Sequence, residues 1–184
     1  KIGAGGIEFI ETWLENHPGA RLVVVDTYIK LRQPRSNSAD IYEADYRAIT
    51  AYKEIAEKHR VAILLVHHTR KMAADDPFDA ILGTTGIGAA IDGGLVLKRE
   101  RGKQDAVLHV SGRDIEEEGE IALKWDADTA QWTKLGNAEE FRMSLIKQAI
   151  LNALKKDGGS LSPKEMTDII GTSVVGLGVG RARP

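Results

Sequence analysis

The chain contains no cysteine. That excludes a disulfide scaffold and thiolate metal sites, and it fits a reducing cytosol. No apolar run reaches the roughly 18 residues of a membrane span. A cytoplasmic protein without membrane contact is therefore expected. The opening residues, KIGAGG, hold no apolar signal region, and the absence of an initial Met suits a fragment. An excess of one charge is also missing. With 25 Lys and Arg against 27 Asp and Glu, the formal net charge is −2. No global basic field advertises nucleic acid, so any such contact must come from a local patch. There is no internal repeat. What is present is 184 residues, 42% of them hydrophobic, enough for one moderate core and a small appendage.

Residues 7–16 place Ile7, Ile10, Trp13 and Leu14 on one helical stripe, ended by Pro18-Gly19. Residues 21–26 (RLVVVD) and 61–66 (VAILLV) are short valine- and leucine-rich runs, the pattern of strands buried on both faces. Between them lies a polar loop (31–40). A helix follows it, opened by an Asp40/Glu43 capping box and carrying Ile41, Ala44, Ala48, Tyr52 and Ile55. Strand, helix, strand in this order predicts a parallel βαβ unit. Residues 67–91 are polar and then glycine-rich, a long loop of the kind that is usually functional. Strands are expected at 94–100 and 106–112, then a hairpin over 119–125 and 130–133, so the sheet structure begins parallel and ends antiparallel. A helix over 138–156 and another opened by Ser162, Pro163 and Glu165 close the chain, as a helical hairpin or a truncated winged helix. Gly176, Gly178 and Gly180 make the last stretch a poor recognition helix.

Several polar residues fall where α/β proteins place their ligands. Asp26 ends the first strand, and His67 and His68 end the second. Parallel strands bring those ends to one rim, where open α/β sheets bind ligands. A carboxylate there can hold hydrated magnesium beside phosphates, although many strands end in Asp simply as a turn residue. An imidazole can sense a phosphate, although a loop histidine bonded to backbone is the plainer reading. Because neighbouring residues on extended backbone face opposite ways, only one of the two histidines is expected to face a ligand. Arg70 and Lys71 add donors for phosphate or DNA. Arg113, after the second antiparallel strand, is either a surface arginine or a cation offered to a neighbouring subunit's nucleotide. The glycine-rich GTTGIG (83–88) is not a phosphate loop, since it lacks the following Gly-Lys-Ser/Thr. The cluster at Gly3–Gly6 lacks a lysine as well, and the sequence contains no Walker A motif.

RLVVVDTYIKLRQ, then VAILLVHHTRK, GTTGIGAAIDGGLVLKRERG and AVLHVSGRD, together resemble the RepA-like branch of the RecA/DnaB-type hexameric helicases, over roughly residues 8–133. The resemblance implies a partial RecA-like P-loop NTPase core over 1–136 with a helical extension over 137–184. It implies that Asp26, with Thr27 beside it, is the Walker B position and the magnesium site. His67, or else His68, would be the γ-phosphate sensor. Residues 72–90 would form the DNA-channel loop, with Arg70, Lys71, Thr84 and Thr85 as DNA contacts. Arg113 or Arg99 would be the arginine finger. ATP and Mg2+ would be cofactors of the complete protein, single-stranded DNA its partner, and a homo-oligomeric ring its assembly. The sequence departs from the pattern in three ways. The P-loop and catalytic glutamate that precede Walker B are absent, Leu95 stands where relatives keep an arginine, and Ser111 stands where they keep a lysine. Two other readings stay open. One is a non-hydrolytic RecA-like module for DNA binding or assembly. The other is a metal-dependent hydrolase using Asp26, His67, His68 and Asp92.

Overall fold

The structure is a computed structural model, and it describes residues 5–31, 41–68, 76–78, 85–99, 104–116, 118–156 and 160–174. The chain divides into two compact units, Lys1–Asp92 and Gly93–Pro184. The boundary expected at 136/137 falls inside the second unit, where a strand runs directly into a helix.

The first unit contains α1 (Gly6–Asn16), β1 (Leu22–Asp26), α2 (Tyr28–Leu31), α3 (Ile41–His59), β2 (Ala62–Val66) and α4 (Thr85–Ala90). β1 and β2 pair in parallel from Leu22↔Ala62 to Asp26↔Val66, as the strand–helix–strand pattern predicts. α1 stops at Pro18-Gly19 as expected, and its Ile7, Ile10 and Leu14 face the core. Trp13 does not; it is 41% exposed and stacks on His17, with ring centroids 4.0 Å apart. Glu11 of α1 pairs with Lys58 of α3 at 2.5 Å.

The inward stripe of α3 differs from the expected one. Asp45, Ile49, Tyr52 and Ile55 are buried, and Ala44 is exposed. Positions 45, 49 and 52 share a face by the spacing of four and three, and reading only the apolar letters hides the aspartate that begins the row. Asp40 of the expected capping box lies outside the described residues. Tyr28, in the short α2 that the sequence reading does not anticipate, is 1% exposed and meets Tyr52 edge-on at 6.4 Å.

The sequence predicts that both strands are buried on both faces, and only one face is. Val23, Val25, Ile63 and Leu65 join the clusters formed with α1, α3 and α4. Leu22, Val24 and Leu64, on the alternate positions, are 54%, 53% and 42% exposed. The expected long loop at 67–91 also ends in structure, because Thr85–Ala90 is a helix packed on α3. Its small residues allow the approach. A Cβ on Gly86 would lie 2.4 Å from the Tyr42 carbonyl oxygen.

The second unit is a four-stranded antiparallel meander, β3 (Gly93–Arg99), β4 (Asp105–Gly112), β5 (Gly119–Asp126) and β6 (Gln131–Asn137), followed by α5 (Ala138–Lys156) and α6 (Pro163–Val174). One sheet face carries Val96, Val107 and Ala122, and α5 covers it through Ala138 and Phe141. On the same face His109 of β4 pairs with Glu120 of β5 at 3.1 Å, and Arg142 of α5 reaches the other oxygen of Glu120 at 3.7 Å. Asn137 caps α5, its Oδ1 accepting from the Glu139 and Glu140 amides at 2.9 and 3.2 Å. The predicted capping box of α6 is present in both directions. The Glu165 amide donates to Ser162 Oγ (3.3 Å), and the Ser162 amide donates to Glu165 Oε2 (2.8 Å). α6 runs on through Gly171 to Val174; residues 175–184 lie outside the described residues.

Candidate functional site

The C-terminal rim of the parallel pair gathers the polar residues that the sequence singles out. Asp26 is the last residue of β1 and lies opposite Val66, the last of β2. His67 and His68 follow directly, so all three emerge at one rim. The Asp26–Thr27 peptide bond is cis. Thr27 is 7% exposed, whereas Asp26 is exposed.

The pleat separates the histidines as anticipated. His67 is half-buried, with its ring 6.1 Å from that of core residue Tyr28. Its Nδ1 lies 2.7 Å from the His68 carbonyl oxygen. Nδ1 must therefore carry the proton that it donates, which leaves Nε2 as the acceptor in the neutral ring. His68 is exposed. Asp26 shares a face with its register partner Val66, so His67 turns to the opposite, core-side face. The rim thus presents an accessible carboxylate on one face and a backbone-oriented imidazole on the other.

The remaining candidates lie apart from this pair or beyond description. Arg70, Lys71 and Thr84 are outside the described residues. Thr85 begins α4, and only its backbone is described. Asp92 forms an ion pair with Lys53 of α3 at 2.5 Å, so its carboxylate serves to anchor the end of unit one. Among the described residues, no group of three or more His, Cys, Asp or Glu is placed to hold a metal ion. A lone accessible carboxylate instead suits Mg2+, which keeps most of its waters and takes one or two carboxylates together with phosphate oxygens. Arg113 is exposed at the turn after β4. Arg99, at the end of β3, has its guanidinium carbon 5.9 and 5.5 Å from the ring centres of Trp125 and Trp132. Sequence reasoning missed this arrangement. The signal available was a Trp pair flanking a short turn, directly opposed in a hairpin.

Residues 3–74 match the model of an AAA domain family, AAA_25. Among solved structures, the chain is similar to the ATPase domain of a DnaB-like helicase, with 13% identity and a TM-score of 0.57, over 70% of this chain and 51% of that one. The fold is that of a RecA-like helicase ATPase domain, in part. The chain thus spans about half the length of the structure that it matches. No curated protein sequence matches it. Within the RecA-like fold, the expected order of parallel strands followed by antiparallel strands and C-terminal helices is the order found. No helix among the described residues is long and apolar enough to cross a membrane.

Proposed function

We propose that this chain is the C-terminal portion of the ATPase core of a ring-forming, DNA-handling motor related to replicative helicases. The observation that carries the reading is the shared rim, where Asp26 at the end of β1 lies beside the β2 end that leads into His67. The AAA match over that same stretch supports it.

Phosphoryl transfer to water is chiefly a matter of positioning and of charge stabilisation. ATP and magnesium supply the phosphoryl group and the cation that neutralises it. Asp26 would hold the cation through its water shell, with Thr27 beside it. His67, oriented by the His68 carbonyl, would register γ-phosphate loss through Nε2 and pass it to the segment 72–90, whose last third is α4 against α3. Arg70, Lys71, Thr84 and Thr85 are the DNA contacts in this reading. For the finger, Arg113 is preferred to Arg99, because the Arg99 guanidinium already lies over two indole rings.

The test is direct. The coding sequence preceding Lys1 is expected to supply a GxxxxGK[ST] motif, and the longer protein is expected to hydrolyse ATP with Mg2+. Asp26→Asn in that protein lowers the rate by about 10- to 100-fold, and His67→Ala uncouples hydrolysis from DNA stimulation. A longer protein with no phosphate loop and no turnover would leave the non-hydrolytic DNA-binding or assembly module as the answer. The metal-dependent hydrolase is disfavoured by the Lys53–Asp92 pair, which engages one of its four proposed ligands.

A further inference from the structure

The second unit has a sheet face that α5 does not cover. By strand register, this face carries Leu95, Leu97 and Arg99 of β3, then Ala106, Leu108 and Val110 of β4. It continues with Ile121, Leu123 and Trp125 of β5, then Trp132 and Lys134 of β6. Leu95 and Leu97 are 56% and 45% exposed. Trp125 and Trp132 oppose one another directly, with ring centroids 5.0 Å apart and planes inclined at 56°. They are two of the three tryptophans in the chain. The Arg99 guanidinium lies over both rings.

The charges on this sheet are sorted. Its acidic strand residues, Asp105, Glu120 and Asp126, pair in register with Lys124, His109 and Gln131, and all belong to the opposite face. The uncovered face therefore has Arg99 and Lys134 at its tryptophan end and no acidic strand residue. A hairpin needs a cross-strand Trp pair only for packing. That role does not call for a planar cation across the rings or for a face cleared of carboxylates. Indole faces beside cations, with no acid on the strands, suit a ligand made of flat π-systems joined by negative charges. That chemistry is a single-stranded nucleic acid, whose bases stack on aromatic rings while basic groups follow the backbone.

We infer that Trp125, Trp132, Arg99 and Lys134 form a base-stacking platform for single-stranded nucleic acid, separate from the residues around position 70. The preference for nucleic acid over an acidic peptide rests on the motor reading above; the platform itself rests on the sheet geometry.

The experiment uses the 184-residue chain and a labelled oligothymidine of about 16 nucleotides at low salt, read by fluorescence anisotropy. Indole fluorescence is followed in a Trp13→Phe background. Expected are saturable binding with quenching, a loss of roughly 5- to 150-fold in affinity for Trp132→Ala, and near-retention for Trp132→Phe. Arg99→Glu weakens binding without touching the hairpin core, which guards against a Trp132→Ala protein that fails to fold. Lys134→Ala lowers the salt slope by about one. No binding at low salt overturns the platform. Binding that survives Trp132→Ala and Arg99→Glu also overturns it, while leaving a DNA-handling motor intact with its contacts elsewhere. Concentration-dependent self-association that these variants abolish, with no oligonucleotide effect, overturns it in favour of an interface between copies. None of these outcomes depends on ATP turnover, so failure of the motor reading is distinguished by its own assay.

Discussion

Gly86 and Glu165 show how much a single residue can decide. A methyl group on Gly86 would meet the Tyr42 backbone oxygen at 2.4 Å, a distance that real Cβ contacts do not reach. Helix propensity alone favours Gly86→Ala by up to about 1 kcal/mol. The clash is with backbone rather than a side chain that can swing away, so overpacking of about 1–3 kcal/mol should outweigh that gain. Gly86→Ala is expected to lower the urea midpoint of unit one. Glu165 is governed by its cap. The Ser162 hydroxyl and then the Ser162 amide hold its carboxyl below the ordinary glutamate value. A folded-state pKa below the unfolded one means a contribution present above the unfolded value and lost as pH falls through the folded value. The α6 helicity is therefore expected to hold steady at neutral pH and to decline on acidification through the carboxylate range. In Glu165→Gln that acid step should be absent, as followed by amide chemical shifts of residues 163–174. Ser162→Ala should cost about 1 kcal/mol of helix stability.

Among the elements, the β1–β2 pair separates its two faces. Val25 is 5% exposed and Val24 is 53% exposed, one position apart. Val25→Ala should destabilise the unit by about 2 kcal/mol through lost burial and a residual cavity. Val24→Thr should change the urea midpoint by less than about 0.5 kcal/mol equivalent. If both were equally costly, the exposed face would be covered in solution. The elements themselves are readable because each carries a local signal: valine-rich runs for the strands, Pro18-Gly19 for the stop of α1, and Ser162/Glu165 for the start of α6. Which face of β1 and β2 is covered is not readable, because that depends on what packs there. A continuous apolar run fits both a one-sided and a two-sided burial. α4 escapes notice because Gly86, Gly88, Ala89 and Ala90 give a helix little periodic contrast. Of the candidate site, the common rim of Asp26 and the histidines follows from parallel pairing. The turning of His67 toward Tyr28 does not, since nothing in the sequence signals α2.

For the molecule as a whole, 184 residues hold the rim of a RecA-like fold and no phosphate loop. A carboxylate that binds magnesium through water needs the phosphates to complete the coordination. The purified chain is therefore expected neither to retain ATP tightly nor to hydrolyse it, as checked by equilibrium dialysis and phosphate release. Magnesium-dependent hydrolysis by these residues alone would overturn that expectation. The basic residues have no global excess, with a net charge of −2, so any attraction to nucleic acid comes from how the sheet sorts its charges.

One irregularity has reach beyond its size. The β5–β6 register slips between Ala122 and Leu123, where Lys134 and Gly136 take consecutive partners and Leu135 is the extra residue, packed toward Val107 and Ala122. Gly136, at φ 123°, supplies the backbone that this bend requires. Counting from Trp132, the inserted residue sets the phase at which Asn137 arrives to begin α5. Removing Leu135 would shorten the path by one step and present the cap a half-pleat out of place. Shape at that position is negotiable among aliphatic side chains, but the number of residues is not, and an engineer altering this hairpin should conserve length before identity.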